Sequence, residues 1–358
     1  LAENRDVLLT AEIACWLHMI GKYHEDFISG KNRKLDAMVP SEIIVNPMMS
    51  KLFVKDLTDG LSEKVADKWA IDTSFVKKII IREFVETHKK SNLKNPYLSL
   101  NRDAHGRSSG TEKGILDDSA YEDQKNRANG IIYPSTAFGF ENSYMDIDEI
   151  ASERHILYNF IQQKLDVIRK LAGQNCAENL RMWNVLRQEL ISTLQRHFSR
   201  TIGDTRRPIN DVTLWDQTIS SVAFFKAELA EALLNGYKDP FDKYNRYTFR
   251  YLHVTFDGES YVAKGTGIGD IITRRKLIDE AFDSAKSLIE VEYPLGLEIY
   301  RDTNGITFLI PELSEKLTID DLVVKKGVSL KQTISEKITT STNWEITPFF
   351  HISERPSR

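Results

Sequence analysis

The 358-residue sequence holds only two cysteines, Cys15 and Cys176, far apart in apolar helical contexts. That scarcity excludes a disulfide framework and points to buried thiols in a reducing compartment. No apolar run approaches the ~20 residues of a membrane-spanning helix, so the expected location is cytoplasmic. The opening Leu1-Ala2-Glu3-Asn4-Arg5-Asp6 is charged and reads as the edge of an ordered region, with nothing resembling a secretory signal. An excess of one charge sign is also missing: 48 Lys and Arg face 52 Asp and Glu, giving a net charge of −4. This argues against indiscriminate coating of nucleic acid, which is driven by phosphate neutralisation. Local basic patches remain at Arg206-Arg207, Arg274-Arg275-Lys276 and Lys325-Lys326.

What is present suggests two parts. Residues 8–234 read as mostly helical. Leu9, Ile13, Leu17 and Ile20 recur every three or four residues, as do Ile156, Phe160, Leu165 and Ile168, and then Trp183, Leu186, Leu190 and Leu194. A further helix opens near Asp216 and carries Ile219, Val222, Leu229 and Leu233 on its buried side. The stretch 100–150, rich in Gly, Asp, Asn and Ser, is expected to form long loops. Near residue 245 the character changes. Residues 247–256 are dense in aromatic and β-branched side chains, a strand signal. A glycine-containing loop follows at 265–269, then a helix with Leu277, Ile278, Phe282, Ala285, Leu288 and Ile289 on one face. Two strands, 295–301 and 306–310, are joined through Asp302-Thr303-Asn304-Gly305, whose Asn-Gly pair suits a turn with positive φ. Strand, helix, strand, strand begins a ferredoxin-like βαββαβ unit, with 317–324 and 328–339 available for another strand and helix.

The sharpest chemical feature is Leu17-His18-Met19-Ile20-Gly21-Lys22, a helix histidine followed by Gly-Lys. It invites comparison with His-Asp phosphohydrolases, where imidazoles and carboxylates converge on divalent ions that activate water. His18, His24, His105 and Asp216 are the candidate ligands, and Mn, Ni or Mg the candidate ions. Met19, however, stands where the carboxylate of a His-Asp pair belongs, and a thioether can neither bridge hard cations nor supply negative charge. A helix histidine satisfied by its own neighbours is the competing reading of His18. His105 lies in a polar stretch, 103–113, read as a ligand-presenting loop or an exposed turn. Asp216 begins a helix and suits capping as well as it suits metal binding.

Lys264-Gly265-Thr266-Gly267-Ile268-Gly269-Asp270 lies between a strand and a helix, where exposed N–H groups could meet a phosphate. No Gly-Lys-Ser/Thr closes it, and the G-x-G-x-x-G spacing is missing. Lys264, Gly265, Gly267 and Gly269 are therefore candidates for a nucleotide or RNA-phosphate contact, weighed against a flexible loop.

Taken together, Leu17 to Lys22, Asp211-Val212-Thr213-Leu214-Trp215-Asp216-Gln217-Thr218 and the run Tyr293 to Ile306 resemble the large subunits of type III CRISPR effector complexes, in a divergent branch. The ending, Pro348 to Arg358, is similar to the family's region after its first palm domain. The resemblance implies an α+β protein: a helical HD-like domain over 1–240 followed by a first palm-like, ferredoxin-like domain over 241–358. It implies an antiviral, RNA-guided complex whose other subunits, with guide or target RNA, are the partners. Single-stranded DNA and ATP are further ligands the family implies. His18, His105 and Asp216 would be the remaining positions of an HD nuclease site. Met19 replaces the Asp of its pair, and Gln217 replaces a His commonly found there, so nuclease chemistry is expected to be impaired. No Gly-Gly-Asp-Asp motif for cyclising ATP occurs. The alternatives are a metal-dependent single-stranded DNA nuclease and a nucleotide-binding module built on Gly265 to Gly269.

Overall fold

The computed structural model describes residues 1–46, 49, 81–90, 93–113, 131–132, 145–171, 177–203, 212–242, 246–314, 316–325 and 327–354. Cys176, Arg206-Arg207 and Lys326 lie outside the described residues. The architecture is mixed α/β, a helical region and a small antiparallel sheet. Two compact units divide the chain, one of Leu9–Phe225 and one of Leu1–Leu8 with Lys226–Arg358. The division falls within a helix, earlier than the change of composition near residue 245, because Lys226 and the residues after it pack with the sheet unit.

The helical unit is built on α1 (Arg5–Trp16), short α2 (Glu25–Ile28) and α3 (Ser41–Ile44), α4 (Ile81–Thr87), α5 (Pro96–Lys113), α6 (Ile147–Leu171), α7 (Ala177–Phe198) and the first half of α8 (Leu214–Asn235). A two-stranded ribbon pairs β1 (Ile131–Ile132) with β2 (Met145–Asp146). Leu9, Ile13, Leu17 and Ile20 are all buried, as their spacing predicts. Trp183, Leu186, Leu190 and Leu194 likewise form the inner face of α7. In α6 the period is right but the phase differs. Ile150, Leu157, Ile161, Leu165 and Ile168 face inward, while Ile156 is 66% exposed. Inside this unit Arg187 pairs with Glu12 at 2.5 Å, and the same carboxylate oxygen accepts from Trp16 Nε1 at 3.1 Å.

Where it is described, the stretch expected to be loops is largely helix. Residues 96–113 are α5, and residues from 147 begin α6. Gly106, Gly110 and the Ser and Asn content lower the intrinsic helix propensity of α5. Burial of Tyr97, Leu100, Asn101, Ala104, His105 and Ser108 along one side overrides it.

In the second unit, β3 (Phe249–Thr255) is followed by α9 (Gly258–Ala263) and α10 (Ile268–Ser287). Next come β4 (Leu297–Arg301), β5 (Gly305–Pro311), the short ribbon β6 (Val323–Lys325) and β7 (Val328–Ser329), α11 (Leu330–Ser341) and β8 (Phe349–Ile352). The main sheet has the order β4-β5-β3-β8, with every pair antiparallel. Ile278, Phe282 and Ala285 of α10, with Ile334 and Ile338 of α11, share a core with Leu252, Val254, Phe308 and Ile310. The alternate residues of β3, Tyr251, His253 and Thr255, point the other way, so the two helices cover one face of the sheet.

The turn between β4 and β5 lies where the sequence places it but has a different construction. Neither Asn304 nor Gly305 takes a positive φ. Instead the Asp302 carboxylate accepts from the backbone N–H of Asn304 at 2.8 Å and of Gly305 at 2.9 Å, a local alternative to a glycine-driven turn. Asn304 Oδ1 then accepts from Gly258 and Glu259 N–H, both at 3.1 Å, capping α9. Gly258 is needed here, because a Cβ would lie 1.9 Å from the Thr303 carbonyl oxygen.

Candidate functional site

Three histidines meet inside the helical unit. His18 follows the end of α1, His88 follows α4, and His105 lies midway along α5. The ring centroids of His18 and His88 are 5.5 Å apart, those of His18 and His105 5.3 Å, and those of His88 and His105 4.6 Å, all edge to face. His18 and His88 are fully buried and His105 nearly so.

The hydrogen bonds fix the tautomers. His18 Nδ1 stands 2.5 Å from the Cys15 carbonyl oxygen, which only accepts, so Nδ1 carries the hydrogen and Nε2 the lone pair. His105 Nδ1 lies 3.2 Å from that lone pair and donates to it. His105 Nε2 is then an acceptor, met by the Ser109 hydroxyl at 3.3 Å. His88 Nδ1 donates to the Val85 carbonyl at 2.7 Å, and its Nε2 is a buried acceptor with no partner among the described residues.

Burial holds His18 and His105 well below the ordinary imidazole pKa, with mutual repulsion among the rings and the charge of Lys22 adding to the effect. Burial likewise lowers His88 to about 4, partly opposed by its bond to Val85. At neutral pH the cluster is therefore uncharged. Lys22 reaches Gly203 O at 2.9 Å and Gln217 Oε1 at 2.7 Å, and Ser108 Oγ donates to Gln217 O at 3.1 Å. A Cβ on Gly203 would come within 2.7 Å of the Gln217 side chain, which would then have to shift.

Of the four residues the sequence offers as ligands, the structure brings His18 and His105 together. His105 does so from a helix, not from a loop or exposed turn. His24 is used elsewhere: its Nδ1 accepts from Asp26 N–H at 3.1 Å and caps α2. Asp216 forms a reciprocal cap with Thr213 at the start of α8. Its Oδ2 accepts from Thr213 N–H at 2.9 Å and from the Thr213 hydroxyl at 2.7 Å, while Asp216 N–H donates back to Thr213 Oγ1 at 3.2 Å. The residue beside it, Gln217, is the one turned toward Lys22. Met19 is fully buried. His88 escapes a sequence reading, because a lone histidine after a short helix carries no spacing signal.

The divalent ion that the resemblance implies can be tested against these donors. Hard ions such as Mg and Mn take oxygen ligands, and the described cluster offers neutral imidazoles beside an ammonium group. Among the described residues, no group of three or more His, Cys, Asp or Glu is arranged to hold a metal ion. The donor set does not fit a hydrolytic two-metal centre. It does form a directional hydrogen-bond chain from Ser109 through His105 and His18 to the Cys15 carbonyl.

The glycine-rich segment is placed differently from the expected strand-to-helix loop. Helix α9 intervenes, Lys264 is its C-cap, Gly267 is the N-cap of α10, and Gly269 lies inside α10. Asp270 occupies the first turn and accepts from Thr266 N–H at 3.2 Å, putting a negative charge where a phosphate would have to sit. Elsewhere in this unit, an open groove of about 620 Å³ is lined by His253, Asp257, Tyr300, Asp302, Thr307 and Phe349, among others.

Comparison with protein-family models, curated proteins and solved structures finds no match to this chain. Among the described residues, no helix is long and apolar enough to cross a membrane.

Proposed function

We propose that the chain is a component of the large subunit of a type III CRISPR RNA-guided effector complex, contacting other subunits and guide or target RNA, with impaired HD-type nuclease chemistry. The observation that carries this reading is that a fully buried Met19 follows His18, whose ring belongs to a buried cluster of imidazoles. A His-Asp centre needs a carboxylate at that step to balance metal charge and bridge ions. Here a thioether occupies the step and Lys22 contributes positive charge close by. The order β3, α10, β4, β5, α11, β8, with the sheet order β4-β5-β3-β8, supports a ferredoxin-like, palm-like reading of the second unit. The helices around His18 support an HD-like reading of the first. Without a Gly-Gly-Asp-Asp motif, cyclisation of ATP is not assigned to this chain.

Affinity purification of the tagged protein from its source cells tests the proposal. Recovery of CRISPR RNA and partner subunits is the expected result, and their consistent absence overturns it. The purified chain is then assayed on single-stranded DNA with Mn or Ni. Cleavage abolished by EDTA replaces the impaired site with the alternative, a metal-dependent nuclease. Saturable ATP binding lost on mutation of Lys264 would instead favour the nucleotide-binding module.

A further inference from the structure

Ser109 lies one helical turn after His105 on α5 and extends the histidine chain outward. Because the His105 Nδ1 hydrogen is committed to His18, its Nε2 carries a lone pair, and the Ser109 hydroxyl donates to it at 3.3 Å. Exposure falls along the chain, from 9% at Ser109 to 6% at His105 and none at His18. The most accessible member is therefore the one able to act as a nucleophile. Beside it Gly110 is exposed, and outside its own helix no heavy atom of the described residues lies within 4 Å of where a Cβ would stand. A hydroxyl bonded to a neutral imidazole, which is itself held by a third group, is the arrangement that activates a serine.

We propose that Ser109 is the nucleophile of an acyl-transfer site acting on small uncharged carboxylic esters, with His105 as general base and His18 as a positioning residue. The inference is independent of the CRISPR reading. Small size follows from the limited exposure of Ser109, and lack of charge from its buried setting, where an ionised substrate would lose its hydration. In the first step Ser109 Oγ bonds to the ester carbonyl carbon while its proton passes to His105 Nε2. The carbon–oxygen bond to the alcohol then breaks, and the leaving oxygen takes that proton, which leaves an acyl-serine. Water repeats the sequence. Its proton goes to His105, its oxygen bonds to the acyl carbon, the acid departs, and Oγ recovers the proton. Ester and water become acid and alcohol, with no other reactant. His18 accepts from His105 Nδ1 throughout and keeps Nε2 aimed at Ser109.

The test uses the full chain with p-nitrophenyl acetate and, separately, a fluorophosphonate probe located by peptide mass mapping. A nitrophenol burst and a label on Ser109 are expected. Ser109→Ala should abolish both and slow turnover by roughly 100-fold or more, with its circular dichroism unchanged. Ser109→Cys keeps a nucleophile of similar size and should take iodoacetamide at that position, which covers the case of a misfolded alanine variant. His18→Gln should lower kcat with KM unchanged, a split that loss of packing alone would not give. Wild-type protein without a label on Ser109, or Ser109→Ala turning over at the wild-type rate, overturns the proposal.

Discussion

His105 donates from Nδ1 to the lone pair of His18 Nε2 across 3.2 Å, joining the middle of α5 to the turn after α1, 87 residues apart in sequence. The bond requires His18 to be neutral, so that Nε2 keeps its lone pair, and burial favours that form. Protonation of His18 would replace the acceptor lone pair with a second donor.

Acid should therefore loosen the helical unit. The folded pKa values of His18, His88 and His105 lie below the unfolded value of 6.5, so below that pH the unfolded chain binds more protons and stability falls. The loss begins near pH 6.5 and continues toward the folded value of about 4 for His88, whose share is on the order of 3 kcal/mol. Urea midpoints measured at pH 7.5 and 5 should drop accordingly. A His88→Gln variant should show a smaller drop, and an equal drop would assign the effect elsewhere.

Asp216 provides a separate test of role. As half of a reciprocal cap with Thr213 it is structural, so Asp216→Ala should cost about 1 kcal/mol. It should leave any metal affinity or ester turnover unchanged. A loss of metal binding in a variant with normal stability would restore Asp216 as a ligand.

Glu12 and Arg187 form a buried pair at 2.5 Å. Replacing Glu12 with Gln removes this carboxylate charge from beside the buried guanidinium, which should lower stability by up to about 3–5 kcal/mol. Thermal unfolding should shift strongly downward, and Arg187→Met should shift it less than Arg187→Glu. A negligible effect of Glu12→Gln would show that water reaches the pair.

The hairpin tip of the sheet unit should tolerate little change. Gly258→Ala brings a Cβ against the Thr303 carbonyl oxygen and should cost about 1–3 kcal/mol. Asn304→Ala removes the cap shared by Gly258 and Glu259, at about 1 kcal/mol. Denaturant unfolding should rank the two in that order, and an innocuous Gly258→Ala would mean that the tip moves freely.

Much of the secondary structure was legible because burial repeats with the period of the element. Trp183, Leu186, Leu190 and Leu194 mark the inner side of α7, and the alternation in β3 separates Leu252 and Val254 from Tyr251 and His253. The errors came where composition and packing disagree. Glycines and polar residues in α5 read as a loop, yet the neighbouring elements bury one side of it. Strand β8 was not foreseen, since Phe349-Phe350-His351-Ile352 is too short to show a period until β3 pairs with it.

The sequence by itself determined the helical and strand-bearing parts, the absence of a carboxylate directly after His18, and the lack of a Gly-Gly-Asp-Asp run, because each is a property of residues close along the chain. Only the tertiary structure decided which polar groups meet. His88 joins His18 and His105, Ser109 completes their hydrogen-bond chain, and Asp216 turns back to cap its own helix. Those outcomes depend on the direction of each side chain and on which hydrogen each ring nitrogen carries. Both are set by burial and hydrogen bonding across segments distant in sequence.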